Sequence, residues 1–120
     1  MTQTQHHVNK LYKNPEQFPF NRNAGFMTFD PTRARLVPNP DHEKVENYIN
    51  ANVIELEGKR CIATQGPLTN SFHNFWRMIE HYEVPAIFML CCLIEKNKIK
   101  CDRYFPQKDP HAASITEQEY

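Results

Sequence analysis

Glycine is scarce in this chain, three in 120 residues. That leaves no glycine-rich loop to cradle a nucleotide phosphate, and Gly66-Pro67 reads as a structural break. Charge of either sign in excess is missing too: 14 basic residues stand against 14 acidic ones. Nothing in that balance points to nucleic acid or an anionic membrane, and neither is expected as a partner. No apolar run approaches transmembrane length; the longest, Ala86 to Ile94, has the length of a strand. The N-terminus, Met1 to His7, is polar and lacks the apolar core of a secretory signal. Four cysteines without such a signal read as free thiols in a reducing compartment, so a cytoplasmic protein is expected. They could pair in three ways, and their spacing favours none. Cys91-Cys92 is no metal pattern, because neighbours on a strand point to opposite faces; both read as buried structural thiols. His6-His7 reads as tail, and His73 and His81 are too far apart along a helix for one site, so no metal or other cofactor is expected.

What the chain does hold suits one soluble domain. Hydrophobic residues make up 40% and charged residues 23%, ordinary values for a globular protein of this length. Its organising stretch runs from Cys61 to Trp76: a strand, a break at Gly66-Pro67, then a helix. Proline offers no N–H to a ladder, so the strand stops there. Thr69, Asn70 and Ser71 are all suitable N-caps. Phe72, Phe75, Trp76 and Ile79, widened by Met78 and Tyr82, form an apolar stripe at helical spacing over about 70–83, with Arg77, Glu80 and His81 opposite. Pro85 ends the helix.

Around this stretch, Val8, Leu11 and Tyr12 suggest a short helical stripe stopped by Pro15. Asp30-Pro31-Thr32-Arg33 reads as a turn and 37–41 as an extended connector. Tyr48 to Leu56 and Arg60 to Thr64 form a hairpin about Glu57-Gly58-Lys59. Ala86 to Ile94, apolar throughout, reads as a strand buried on both faces. Glu95 to Lys98 reads as a turn and Ile99 to Phe105 as a further strand. A helix between strands indicates an α/β layer architecture with a twisted mixed sheet and flanking helices. Residues 1–20 are a polar to helical lead-in, 21–107 the folded part and 108–120 a polar tail. One helix cannot cover such a sheet on both faces.

Ala63-Thr64-Gln65-Gly66-Pro67-Leu68 followed by Phe75-Trp76 resembles the central part of a protein-tyrosine phosphatase domain. Tyr48-Ile49-Asn50-Ala51-Asn52 before it, and Glu95-Lys96, Lys100-Cys101 and Tyr104-Phe105-Pro106-Gln107 after it, stand in the order that family has. The matches run from about Asn21 to Gln107 and cover the first part of the family's domain, somewhat under half. The resemblance therefore implies a partial fold of that type. Short or altered members of this kind resemble those carried in multiple copies by viruses of parasitoid wasps.

The family's reaction is hydrolysis of phosphotyrosine in proteins through a cysteinyl-phosphate, without a metal. The resemblance implies a nucleophilic cysteine six positions before an arginine, at a helix N-terminus that lowers the thiol pKa and binds phosphate. An aspartate on a mobile loop serves as the acid. Six positions after Cys61, Cys91, Cys92 and Cys101 stand Pro67, Asn97, Lys98 and Gln107. No cysteine fits, and the family's Trp-Pro-Asp is absent, because Trp76 is followed by Arg77-Met78. No catalytic residue is therefore assigned.

Supporting positions remain. By resemblance, Asn21, Arg22, Asn23 and Gly25 form the substrate loop, with Asn23 where the family has its phenol-stacking tyrosine and Gly25 where it has an aspartate. Neither replacement can do that work. Asp30, Thr32 and Arg33 match a further turn of the family. Glu95 and Lys100 match residues that help orient the phosphate-binding arginine and the acid loop; read alone, they are a solvated pair flanking a turn. The chain is thus expected to be an incomplete, inactive phosphatase domain, engaging phosphotyrosine proteins only when completed. The alternative is a degenerate phosphatase-like protein acting as a non-catalytic binding or decoy module. Self-association is expected for the uncovered sheet.

Overall fold

The computed structural model of the protein describes residues 12–38 and 47–107. The Val8–Tyr12 stripe, part of the connector and the tail over 108–120 fall largely outside those residues. Strand β1 (Ala51–Leu56) pairs antiparallel with β2 (Lys59–Thr64), in a register that sets Ala51 opposite Thr64 and Leu56 opposite Lys59. The two central turn residues, Glu57 and Gly58, both take positive φ, at 51° and 76°. This is the turn whose twist matches a two-residue hairpin, and glycine makes half of it free of strain. Arg33 bridges Asn52 on the other edge of β1, and the Ala34 N–H donates to Ala51 O at 2.8 Å.

Helix α1 (Phe72–His81) follows a single 3₁₀ turn, Thr69–Ser71. The expected side-chain caps do not cap it. Ser71 Oγ turns back to accept from the Leu68 N–H at 3.0 Å, and the Thr69 N–H is satisfied from a distant segment by Asp102. The helix ends on Glu83, at φ 51°, with Val84 N–H donating to Ile79 O at 3.0 Å and Glu83 N–H to Glu80 O at 3.1 Å. That pair of bonds is the Schellman motif, here built without its usual glycine, and Pro85 prevents continuation.

The core lies between α1 and the inner face of β1, with Phe75 and Met78 packed on Ala34, Leu36, Ile49 and Ala51. The stripe is therefore real but rotated from the sequence reading. Phe75 is 2% exposed, whereas Trp76 is 43% exposed and lies on the rim with Tyr104, ring centroids 6.0 Å apart. Arg77, read as outward, donates to Val37 O at 2.6 Å and to Asn74 Oδ1 at 3.1 Å.

The α/β character holds, although the described sheets are two small antiparallel pairs rather than one mixed sheet. Ala86 to Leu93 forms no strand; only β3 (Ile94–Glu95) and β4 (Lys98–Ile99) pair, about a Lys96-Asn97 turn with positive φ at both residues. Of the expected strand over Ile99–Phe105, only Ile99 lies in a strand, at the end of β4. An apolar strand needs a ladder on its edges as well as cover on its faces, and no described strand offers one to this run. Phe88 and Leu90 are consequently 84% and 95% exposed. Cys91 is half-buried and Cys92 exposed, so the pair is not the buried one expected. The run instead borders a cleft of about 410 Å³ that it shares with α1 and the hairpin.

Candidate functional site

Gly66-Pro67 ends β2 and turns the chain into α1, leaving the carbonyls of both residues outside any ladder. Arg22 satisfies them: its Nε donates to Gly66 O at 2.9 Å and its Nη2 to Pro67 O at 2.7 Å. The same guanidinium reaches Ile99 O through Nη1 at 3.5 Å and Asp102 Oδ1 through Nη2 at 3.3 Å. One side chain therefore joins the 20–25 loop, the strand-to-helix break and the segment after β4. Arginine suits this place because its planar fork presents several donors at fixed angles.

Asp102 completes the junction. Its Oδ2 accepts from the Thr69 N–H at 2.9 Å and from Thr69 Oγ1 at 2.8 Å, and its own N–H donates to Pro67 O at 3.2 Å. Burial pushes the Asp102 carboxyl up, but the hydrogen bonds from Thr69 and Arg22 and the Arg22 charge outweigh it, so its pKa lies below the usual carboxylate range.

Gln65 holds the loop from below: its Oε1 accepts from the Arg22 N–H at 2.8 Å and its Nε2 donates to Phe20 O at 2.8 Å. Asn21 Oδ1 accepts from Tyr48 OH at 2.6 Å and from Asn50 Nδ2 at 3.0 Å. Asn50 Nδ2 also donates to Phe26 O at 2.8 Å, closing the loop on its far side. Burial raises the Tyr48 pKa, its hydrogen bond to Asn21 and the nearby Thr28 only partly opposing it, so the phenol stays a donor at neutral pH.

The four loop positions therefore divide. Asn21 and Arg22 point inward and build the loop. Asn23 and Gly25 are exposed, and Asn23 Oδ1 is occupied in accepting from the Gly25 N–H at 2.9 Å. Lys100 lies close by through its backbone: a Cβ on Gly66 would stand 2.5 Å from Lys100 O and 2.9 Å from Cys101 Cβ. Both Lys100 and Glu95 have exposed side chains, and among the described residues no ion pair joins them; Glu95 lies opposite Lys98 in the small hairpin. Asp30 and Arg33 do pair, Nε to Oδ1 at 3.0 Å. Gln65, Thr69 and Asp102 are hydrogen-bonding partners of this junction that the sequence did not mark as site residues. Gln65 sat inside a recognised motif, whereas nothing local distinguishes Asp102. Among the described residues no group of histidine, cysteine, aspartate and glutamate could hold a metal ion.

The sequence pattern of the protein-tyrosine phosphatase family matches residues 17–119. The chain belongs to this family. Tyrosine-protein phosphatase 99A of Drosophila melanogaster is 40% identical over 97 residues, 79% of this chain and 8% of that protein. The human tyrosine-protein phosphatase non-receptor type 12 is 37% identical over 113 residues, 86% of this chain and 14% of the relative. Receptor-type tyrosine-protein phosphatase S of Gallus gallus is 42% identical over 90 residues, 73% of this chain and 6% of its own length. The chain thus spans a small part of each of these phosphatases, and their names include both receptor and non-receptor types. Among the described residues, no helix is long and apolar enough to cross a membrane.

Proposed function

We propose that this chain carries the substrate-loop side of a protein-tyrosine phosphatase domain and does not itself hydrolyse phosphotyrosine. One observation carries the second half: none of its four cysteines precedes an arginine by six positions, so no thiolate and guanidinium can share a phosphate. The first half is supported by the family match and by the way Arg22 fastens the 20–25 loop to the Gly66-Pro67 break and Asn21 fastens it to Tyr48 and Asn50. Glu95 and Lys100 are its supporting charges toward a phosphate site that other residues would supply. Phosphotyrosine proteins are the partners only of a completed domain. Assay of the chain with p-nitrophenyl phosphate, which demands little of the substrate loop, should give no turnover above buffer. Turnover that disappears on replacing any one of Cys61, Cys91, Cys92 or Cys101 would overturn the proposal.

A second reading, a non-catalytic binding or decoy module, is favoured by the two exposed loop positions. Asn23 and Gly25 stand where the family places a stacking tyrosine and an aspartate, and neither can recognise a phenol ring or a peptide backbone in that manner. A protein-binding role would then use another surface. Titration with a phosphotyrosine peptide and its unphosphorylated twin separates the readings: a preference for the phosphorylated peptide would retain the substrate loop as a recognition element.

A further inference from the structure

The Cys101 thiol is buried and donates to Asp102 O at 3.3 Å, and Cys91 is near enough to help raise its pKa, after burial. The backbone explains the proximity. The N–H groups of Lys100 and Cys101 both donate to Leu93 O, at 2.8 and 3.3 Å, so two residues of one segment oppose one of the other, as at a β-bulge. This draws the chain around Leu93 against Cys101, with Cys91 two residues upstream. Tyr104, whose pKa is raised chiefly by burial, packs against Phe75 with ring centroids 4.8 Å apart. The other two cysteines, Cys61 and Cys92, are exposed.

We propose that Cys91 and Cys101 form a reversible redox pair, which a peroxide closes into an intramolecular disulfide across the β3–β4 hairpin. Cys91 is the more exposed of the two and reacts first. Its sulfur attacks one peroxide oxygen, the O–O bond breaks, and the thiol proton leaves with the other oxygen as water, giving a sulfenic acid. The Cys101 sulfur then attacks the Cys91 sulfur. The S–O bond breaks, and the hydroxyl takes the Cys101 proton as a second water. Two thiols and one hydrogen peroxide become one disulfide and two waters, and a small-molecule thiol reverses the change. Burial, and next the neighbouring Cys91, push the Cys101 thiol up, so Cys91 rather than Cys101 is the first to meet the oxidant. Because Cys101 lies beneath Gly66 and beside Asp102, the closed form pins the segment on which Arg22 and Thr69 converge.

The test needs only the whole chain and peptide mapping. Lys96, Lys98 and Lys100 separate the two cysteines, so trypsin releases them on different peptides that a disulfide alone would hold together. After hydrogen peroxide treatment and alkylation of remaining thiols, the 91 and 101 peptides should appear joined and separate on reduction, with Cys61 fully alkylated. Cys92 shares the tryptic peptide of Cys91, so Cys92→Ser should keep the link and Cys91→Ser should lose it. Both replaced side chains are at least partly exposed, and circular dichroism of each variant verifies folding. A link that survives in Cys91→Ser, oxidation of Cys101 to a sulfinic acid without cross-linking, or cross-links only between chains would each overturn the proposal.

Discussion

Arg22 and Asp102 stand eighty positions apart in sequence and 3.3 Å apart in space. Both are largely withdrawn from solvent, at 17% and 24% side-chain exposure, and each is hydrogen-bonded to further groups. Their pairing holds the loop, the break and the segment after β4 in one arrangement.

Arg22→Ala should therefore destabilise the chain by about 2–4 kcal/mol, because it strands a part-buried carboxylate and leaves the Gly66 and Pro67 carbonyls without their donor. Arg22→Lys should recover only part of this, since an ammonium cannot reproduce the fork. Urea unfolding of both variants beside Lys59→Ala, an exposed control, reads the difference. An Arg22→Ala midpoint equal to that of the control would remove the junction from the account of stability.

Acid should loosen the same junction. The Asp102 pKa is lower in the folded chain than its unfolded value of about 3.9, so the carboxylate contributes stability above that value. The contribution is lost as pH falls through the depressed folded pKa. Urea midpoints measured from pH 6 down to pH 3 should fall more steeply for the native chain than for Asp102→Asn. Parallel curves would mean that other carboxylates carry the acid sensitivity.

Phe75→Ala should cost about 3–5 kcal/mol and Trp76→Ala roughly half as much, as the first ring is enclosed by the core and the second lies on its rim. Equal losses in thermal or urea unfolding would show that the tryptophan is covered in solution.

How much of this was legible beforehand depends on the range of the interaction. The β1–β2 hairpin was readable because Glu57-Gly58 and the flanking alternation are local signals. Helix α1 was readable from its stripe and from Pro85, but the stripe does not say which of two adjacent aromatics meets the core, and Trp76 was placed too deep. The run from Ala86 to Ile94 announces a need for cover; the ladder it needs is not written in its own residues, and the described chain supplies none. At the site, the family motif located Asn21, Arg22, Asn23 and Gly25 without revealing that the first two face inward. Asp102 was invisible for a simpler reason: its partners lie thirty-three and eighty positions away, beyond the reach of any local pattern.

Glu83→Gly should stabilise the chain by about 1 kcal/mol, since glutamate occupies a left-handed cap position that penalises a Cβ. A lower melting temperature for this variant would indicate that the glutamate side chain contributes something beyond the cap geometry.

The exposed Phe88 and Leu90 should make the isolated chain associate. With net charge zero, no repulsion opposes it. Light scattering across a concentration series should report species larger than a monomer, reduced in a Phe88→Ser, Leu90→Ser double variant. A monodisperse native monomer that binds no hydrophobic dye would contradict this.

The separation between Arg22 and Asp102 also sets an order of events during synthesis. A ribosome adding about 5–20 residues per second delivers Asp102 roughly 4–16 s after Arg22. Hairpin β1–β2 closes over a two-residue turn and is complete long before that, on a microsecond scale once it has emerged. For the last roughly 2–7 s of that interval, once Pro67 has been added, the 20–25 loop can find Gln65, Gly66 and Pro67 but not its carboxylate, and Thr69 has no distant acceptor for its N–H. The nascent chain therefore waits half-fastened, with its guanidinium docked on carbonyls alone, until the segment after β4 leaves the exit tunnel and closes the junction.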